Sequence, residues 1–246
     1  AIVTILAQSS FTSAGALCEL RQRAAQLQLH ARKTVEFVDF GELASQTTGL
    51  PKGQPGTAAA WRPRPSDGPL TFAAKVRALC QLGFLEEARA ELIAFQVERL
   101  RNVPKSRDYL AMLGHLAFAC VETGQKRPAA VVYELLAPYP HLCIATLSLH
   151  AYGPVSRSLG TLAALLDDRE RAAAHYERAL MDAERFGLLP QLALTRYQYA
   201  QLLHTAAAPG SIERARNLLD DATGLAQRLG MQALQQQSAQ LRAALG

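Results

Sequence analysis

The sequence contains a single helix–turn–helix unit that is written four times. In each copy an apolar helical stretch leads into a short turn, and the next helix carries an alanine followed four residues later by Leu or Tyr. The anchor residues Ala88, Ala129, Ala172 and Ala215 recur every 41 to 43 residues. Such units stack because one helix pair cannot bury its own apolar face. The repeat predicts an all-α fold, a right-handed α-solenoid of antiparallel helix pairs, and solenoids of this kind usually bind other molecules rather than catalyse.

The chain divides into three zones. Residues 1–46 are expected to be helical or α/β, with a helix over 13–32 and a run at 34–40 that fits either strand or helix. Residues 47–69 hold five prolines and four glycines, which disfavour regular structure and indicate a linker or long loop. Trp61 in this zone is interpreted as an anchor that pins the loop onto the repeats. Residues 70–246 form the repeat domain.

Within the repeat domain, the periodicity predicts helix pairs closed by glycine-containing turns. The last helix has a Gln-rich face, as expected of a terminal repeat whose outer surface no neighbour covers. The predicted helices are 70–82 with 84–99, 107–123 with 126–137, 154–166 with 168–186, 191–206 with 211–229, and a final helix over 231–245.

Composition narrows the class of protein. No stretch of eighteen apolar residues occurs, so no membrane span is expected. The net charge of +5 is spread along the helices, which favours a solvated surface over direct nucleic-acid binding. The four cysteines lie far apart and indicate a reduced protein of the cytoplasm. Because the apolar start lacks Met and a basic region, we interpret the chain as a piece of a longer protein.

The sequence contains only weak matches to metal-binding, phosphate-binding and catalytic motifs. His141, Cys143 and His150 are the only grouped soft ligands, and they lack a fourth partner and a standard zinc spacing. The run 49–53 lacks the Gly-Lys-Ser/Thr ending of a phosphate loop. Asp167 and Asp168 are expected to cap a helix start. We therefore expect no enzyme activity, no metal and no cofactor.

The third copy of the unit carries a family resemblance. Gly160, preceded by Leu, with Ala172, Tyr176 and Ala179, resembles the tetratricopeptide repeat (TPR). The other copies keep less of this pattern, and the spacing exceeds the usual length of that repeat. Longer repeats of this type are similar to the C-terminal arms of bacterial MalT/LuxR-type ATP-dependent transcription regulators and ATPase-coupled adenylate cyclases. The stretches that carry this similarity are 133–139, 153–160 and 193–203, within a resemblance over 72–231.

The resemblance implies a sensor or scaffold arm of a larger bacterial signalling or transcription regulator. Its concave groove would bind a protein or peptide partner or a small-molecule inducer, and this binding would bias an attached ATPase. The first helix of each pair lines the groove in such repeats, and an Arg- and Tyr-bearing groove suits an acidic or extended peptide. The candidate groove residues are Arg77, His115, Arg157, Arg196, Tyr197 and Gln198.

Two alternatives stay open at this point. The chain could be a structural adaptor or oligomerisation scaffold that self-associates through its convex face or an end helix. Alternatively, residues 1–46 could belong to a catalytic domain that continues upstream of Ala1.

Overall fold

The computed structural model describes Pro63 and residues 68–106, 108–145, 151–206 and 210–245. The predicted helix 13–32, the run 34–40, Trp61 and nearly all of the linker lie outside the described residues.

The described part is mostly helical, which confirms the predicted helical class. The helices are α1 (Pro69–Gln81), α2 (Leu85–Ala94), α3 (Tyr109–Glu122), α4 (Lys126–Leu136), α5 (Val155–Leu165), α6 (Arg169–Arg185), α7 (Leu189–Ala206), α8 (Ser211–Leu229) and α9 (Gln232–Leu245).

The turns inside the pairs share one backbone conformation. Gly83 and Gly124 follow α1 and α3 with positive φ angles of 88° and 67°, a region that glycine enters without steric cost. Asp167 takes the equivalent place after α5 with φ 65°. The carboxylate of Asp168 then accepts a hydrogen bond of 3.0 Å from the backbone N–H of Arg171, which confirms Asp168 as the cap of α6. The prediction that Asp167 also caps this helix is wrong, because Asp167 lies in the turn and its carboxylate pairs with Lys126.

The helices pack against their neighbours in chain order. The first helices of the pairs, α1, α3, α5 and α7, also contact one another in series. Small residues allow close crossings: a Cβ added to Gly160 of α5 would lie 3.1 Å from the ring of Tyr176 on α6. Ala172 and Ala179 of α6 are fully buried. Among the described helices, none combines the length and apolar character needed to cross a bilayer.

The predicted helix over 84–99 is wrong at its C-terminal end. Helix α2 stops at Ala94, Gln96 adopts a left-handed φ of 50°, and a 3₁₀ helix covers Val97–Asn102. The break lets Phe95 stack on Phe72 of α1, with ring centroids 4.0 Å apart. Val97, the first residue of the 3₁₀ helix, is buried.

A two-stranded antiparallel hairpin, which the sequence did not predict, joins α4 to α5. Strand β1 (Cys143–Ala145) pairs with β2 (Ala151–Pro154), with Ile144 opposite Gly153. Ile144 is buried against α3, where a Cβ at Gly114 would lie 2.8 Å from its Cδ1 atom. The absence of a side chain at Gly114 therefore allows the hairpin to lie against α3.

Candidate functional site

Tyr152 of β2 is the centre of a cluster that contains four of the six predicted groove residues. The guanidinium of Arg77 lies 5.1 Å from the Tyr152 ring centroid, and the His115 ring meets the same ring edge-on at 4.8 Å. Nη2 of Arg157 donates a hydrogen bond of 2.6 Å to the Tyr152 carbonyl oxygen. Nη1 of Arg157 donates to Oε1 of Gln198 at 3.3 Å. We call these five residues the Tyr152 cluster.

The cluster draws one residue from each of four successive first helices. Arg77 comes from α1, His115 from α3, Arg157 from α5 and Gln198 from α7. Contact of these helices in series brings side chains distant in sequence to one face. The hairpin then places Tyr152 against them, so the cluster depends on both the contacts between these helices and the hairpin.

Arg77 is held by aromatic contacts rather than by an acid. Its guanidinium lies 4.2 Å from the centroid of the Phe118 ring, in addition to its contact with Tyr152. Its Nε atom is buried and has no hydrogen-bond partner among the described residues. Burial lowers the pKa of Arg77, and interactions with Tyr152, Cys80 and Glu122 oppose that shift. A buried cation over aromatic faces keeps its in-plane donors directed away from the rings.

His115 is the most deeply buried titratable group of the cluster, with 3% of its surface exposed. Burial and then the charge of Arg77 lower the pKa of His115 to about 3. The imidazole is therefore neutral at physiological pH and adds no charge to the cluster. Its Nδ1 atom is buried and finds no hydrogen-bond partner in the part of the chain that the structure describes.

Arg157 fixes the hairpin to α5. Burial, with a smaller contribution from Arg77, lowers the pKa of Arg157 to about 10, so it remains charged at neutral pH. Two of its nitrogens donate to Tyr152 and Gln198, while Nε is buried and has no partner among the described residues. Arg157 thus joins β2 to α5 and α7, whereas Arg77 donates no hydrogen bond within the described part of the chain.

The other two predicted residues lie apart from the cluster. Nη2 of Arg196 is 3.3 Å from Glu184 and 3.8 Å from Asp221, which ties α7 to its neighbours α6 and α8. The hydroxyl of Tyr197 accepts a hydrogen bond of 3.0 Å from Gln201, and its ring packs on the core of the last repeats. These contacts give both residues a packing role along α7.

Sequence reasoning missed Tyr152, Phe118 and Glu122. Phe118 lies one α3 turn after His115, and this spacing could have nominated it. Tyr152 carried no periodic signal because it lies on a strand inside a helical array. Of the weak soft-ligand group, His150 lies outside the described residues. The described ranges hold no group of three His, Cys, Asp or Glu side chains placed to bind a metal ion.

Two further features lie away from the cluster. Glu177 of α6 accepts a hydrogen bond of 2.7 Å from the Tyr199 hydroxyl and also pairs with Arg214 of α8. A cavity of about 290 Å³ lies between α8 and α9, with Asp220, Gln235 and Arg242 among its lining residues. Asp220 and Arg242 form an ion pair with each other.

Comparison with known proteins gives no relative for this chain: no family model, no curated protein and no solved structure matches it.

Proposed function

We propose that the chain is a TPR-like recognition arm of a larger bacterial signalling or transcription regulator. The single observation that supports this proposal most is the convergence of α1, α3, α5 and α7 on the Tyr152 cluster. Four helices that each contribute a polar or charged side chain to one face provide a surface for recognition. A purely structural array has no need for two partly buried cationic groups in one cluster, since burying charge is costly.

The proposed architecture is a right-handed solenoid, with the first helices of the pairs on its concave face. Contacts between chain neighbours, together with the series of contacts through α1, α3, α5 and α7, support this arrangement. In this arrangement the Tyr152 cluster faces the groove, and α2, α4, α6 and α8 form the convex side.

The proposed ligand is an acidic or extended protein segment or a small-molecule inducer. Arg77 and Arg157 supply positive charge, and Tyr152 and Phe118 supply aromatic surface, a combination enriched at binding hot spots. Binding would then bias the state of an ATPase attached to this arm.

The test is a quantitative pull-down with the whole chain as bait, comparing the native protein with Arg77→Gln and Arg228→Gln. Both variants lose one positive charge, but Arg228 is exposed on α8 and lies outside the cluster. The proposal predicts a partner retained by Arg228→Gln and lost with Arg77→Gln. A partner captured equally by all three proteins would place recognition elsewhere.

An adaptor that binds through the convex face is the second candidate, and two exposed apolar side chains favour it. Ile93 of α2 and Met181 of α6 are 63% and 60% exposed. Size-exclusion chromatography with light scattering would compare the native chain with Ile93→Asp and Met181→Asp. Self-association abolished by these changes would favour the adaptor. Deleting 231–246 is a poorer test, because buried Leu234 and Leu245 belong to the core of the last repeats.

A further inference from the structure

We propose that the terminal nitrogens of Arg77, together with the Tyr152 hydroxyl, bind an oxyanion, the phosphate or carboxylate group of a small molecule. This inference rests on the proposed function and names the chemistry of its ligand. It is carried by the contrast between the two arginines of the Tyr152 cluster: both terminal nitrogens of Arg157 donate hydrogen bonds to described residues, whereas those of Arg77 donate none.

The unengaged donors of Arg77 are the first observation. Arg157 donates to the Tyr152 carbonyl oxygen and to Gln198, whereas Arg77 donates no hydrogen bond to any residue of the described ranges. The Phe118 and Tyr152 rings lie against its guanidinium at 4.2 and 5.1 Å. A guanidinium that stacks on rings directs its N–H groups along its own plane, in the fork geometry that matches phosphate and carboxylate oxygens.

The second observation is the charge of the cluster. Arg77 and Arg157 are both cationic, and His115 is neutral because its pKa is about 3. Glu122 is the acidic side chain whose charge acts on Arg77, yet it forms no ion pair with Arg77 in the described part of the chain. Partly buried cations without a paired anion are unfavourable, and an added oxyanion would relieve that imbalance.

The hydroxyl of Tyr152 supplies the third donor. It forms no hydrogen bond with the described residues, while the backbone carbonyl of the same residue is held by Arg157. The Arg157 contact holds the β2 backbone at Tyr152, whose ring centroid lies 5.1 Å from the Arg77 guanidinium. The arrangement separates a positioning residue, Arg157, from the two groups that would contact the ligand.

The experiment titrates the whole chain with inorganic phosphate and, separately, with acetate, at constant ionic strength with chloride as the reference. Binding is followed by ³¹P or ¹³C NMR of the anion and by the thermal midpoint of the protein. The native chain and Arg228→Gln should show the same saturable response. Arg77→Gln and Tyr152→Phe should weaken the apparent affinity, the former by about tenfold or more. Circular dichroism tests whether each variant is folded. If Arg77→Gln does not fold, the anion affinity of Tyr152→Phe tests the inference.

The outcomes separate the ligand classes and the two proposals. A response to phosphate alone assigns a phosphate-bearing ligand, and a response to acetate alone assigns a carboxylate. The inference is overturned if the two variants, Arg77→Gln and Tyr152→Phe, respond to the anions as the native chain does. It is also overturned if neither anion gives a saturable response. If neither anion binds but Arg77→Gln still loses a protein partner, the proposal of a recognition arm stands and the proposal of an oxyanion site is rejected.

Discussion

The guanidinium of Arg157 on α5 donates a hydrogen bond of 2.6 Å to the carbonyl oxygen of Tyr152 on β2. The bond spans five residues and fixes the hairpin to the helix that follows it. The ring of the same Tyr152 meets His115 edge-on and lies 5.1 Å from the Arg77 guanidinium. The contact therefore joins β2 to α5 at the residue around which the cluster is arranged.

Replacement of Arg157 by Gln should loosen the hairpin. A hydrogen bond from a charged donor contributes roughly 1.5–3 kcal/mol, and its loss should lower the free energy of unfolding by a similar amount. Urea denaturation followed by circular dichroism measures this change, with Arg228→Gln as the control for loss of charge alone. Equal stability of the two variants would show that the Tyr152 contact contributes nothing.

The burial of His115 predicts an acid-sensitive stability. Its pKa is about 3 in the folded chain, below the value near 6.5 expected when it is unfolded. Between these values the unfolded chain binds the proton and the folded chain does not. The contribution of His115 is therefore fully present above pH 6.5 and is lost as the pH falls towards 3, by roughly 1.4 kcal/mol per pH unit.

The measurement compares urea denaturation of native, His115→Phe and His141→Phe proteins between pH 7 and pH 4.5. His115→Phe should lose stability less steeply on acidification than the native chain. His141 is exposed, so its variant should follow the native curve. Parallel curves for all three proteins would contradict the burial of a neutral imidazole.

The contact of Gly114 with Ile144 predicts a coupled pair of substitutions. A Cβ at Gly114 would lie 2.8 Å from Cδ1 and 3.2 Å from Cγ2 of Ile144, so Gly114→Ala should cost about 1–3 kcal/mol. Ile144→Val removes Cδ1, and the double variant should therefore be more stable than the sum of the two single effects predicts.

Gly224→Ala is the matched control for this pair. It lies inside α8 with no atom within 4 Å of an added Cβ, so alanine there should stabilise the chain by up to about 1 kcal/mol. A thermal denaturation series covers all four variants. Strict additivity of Gly114→Ala and Ile144→Val would show that the hairpin does not press on α3.

Removal of the Tyr199 hydroxyl should cause a smaller loss of folding stability. It donates to Glu177 at 2.7 Å, and Tyr199→Phe should lower the free energy of unfolding by about 1 kcal/mol while leaving the ring packed on Tyr176. Because Arg214 also pairs with Glu177, Tyr199→Phe combined with Arg214→Gln should show non-additivity in a double-mutant cycle. Independent effects would contradict a shared contact with Glu177.

The helices of the predicted pairs could be located from the sequence because their signals are local. Alanine spacing marks the second helix of each pair, and Gly83 or Gly124 marks the turn before it. The end of α2 could not be predicted from the sequence, since Gln96 adopts a left-handed conformation that glycine usually adopts. That break is favoured by tertiary packing of Phe95 on Phe72, which no sequence window contains.

Part of the candidate site could also be predicted from the sequence, because the position of a residue on a helix is a local signal. Helix position nominated Arg77, His115, Arg157 and Gln198, and these residues do come together. Their centre, Tyr152, lies on a hairpin whose register depends on Ile144 packing over Gly114. Arg196 was nominated by the same helix rule, but Glu184 and Asp221 lie close enough to pair with it, and pairing of that kind cannot be read from spacing on one helix.

The central claim, that recognition occurs on the face carrying the Tyr152 cluster, is tested most directly by hydrogen–deuterium exchange of the whole chain with and without its captured partner. The account predicts slowed exchange in α1, α3, β2 and the start of α5, with little change in α2 and α6. Protection confined to α2 and α6, around Ile93 and Met181, would contradict the claim and establish the opposite face as the binding surface.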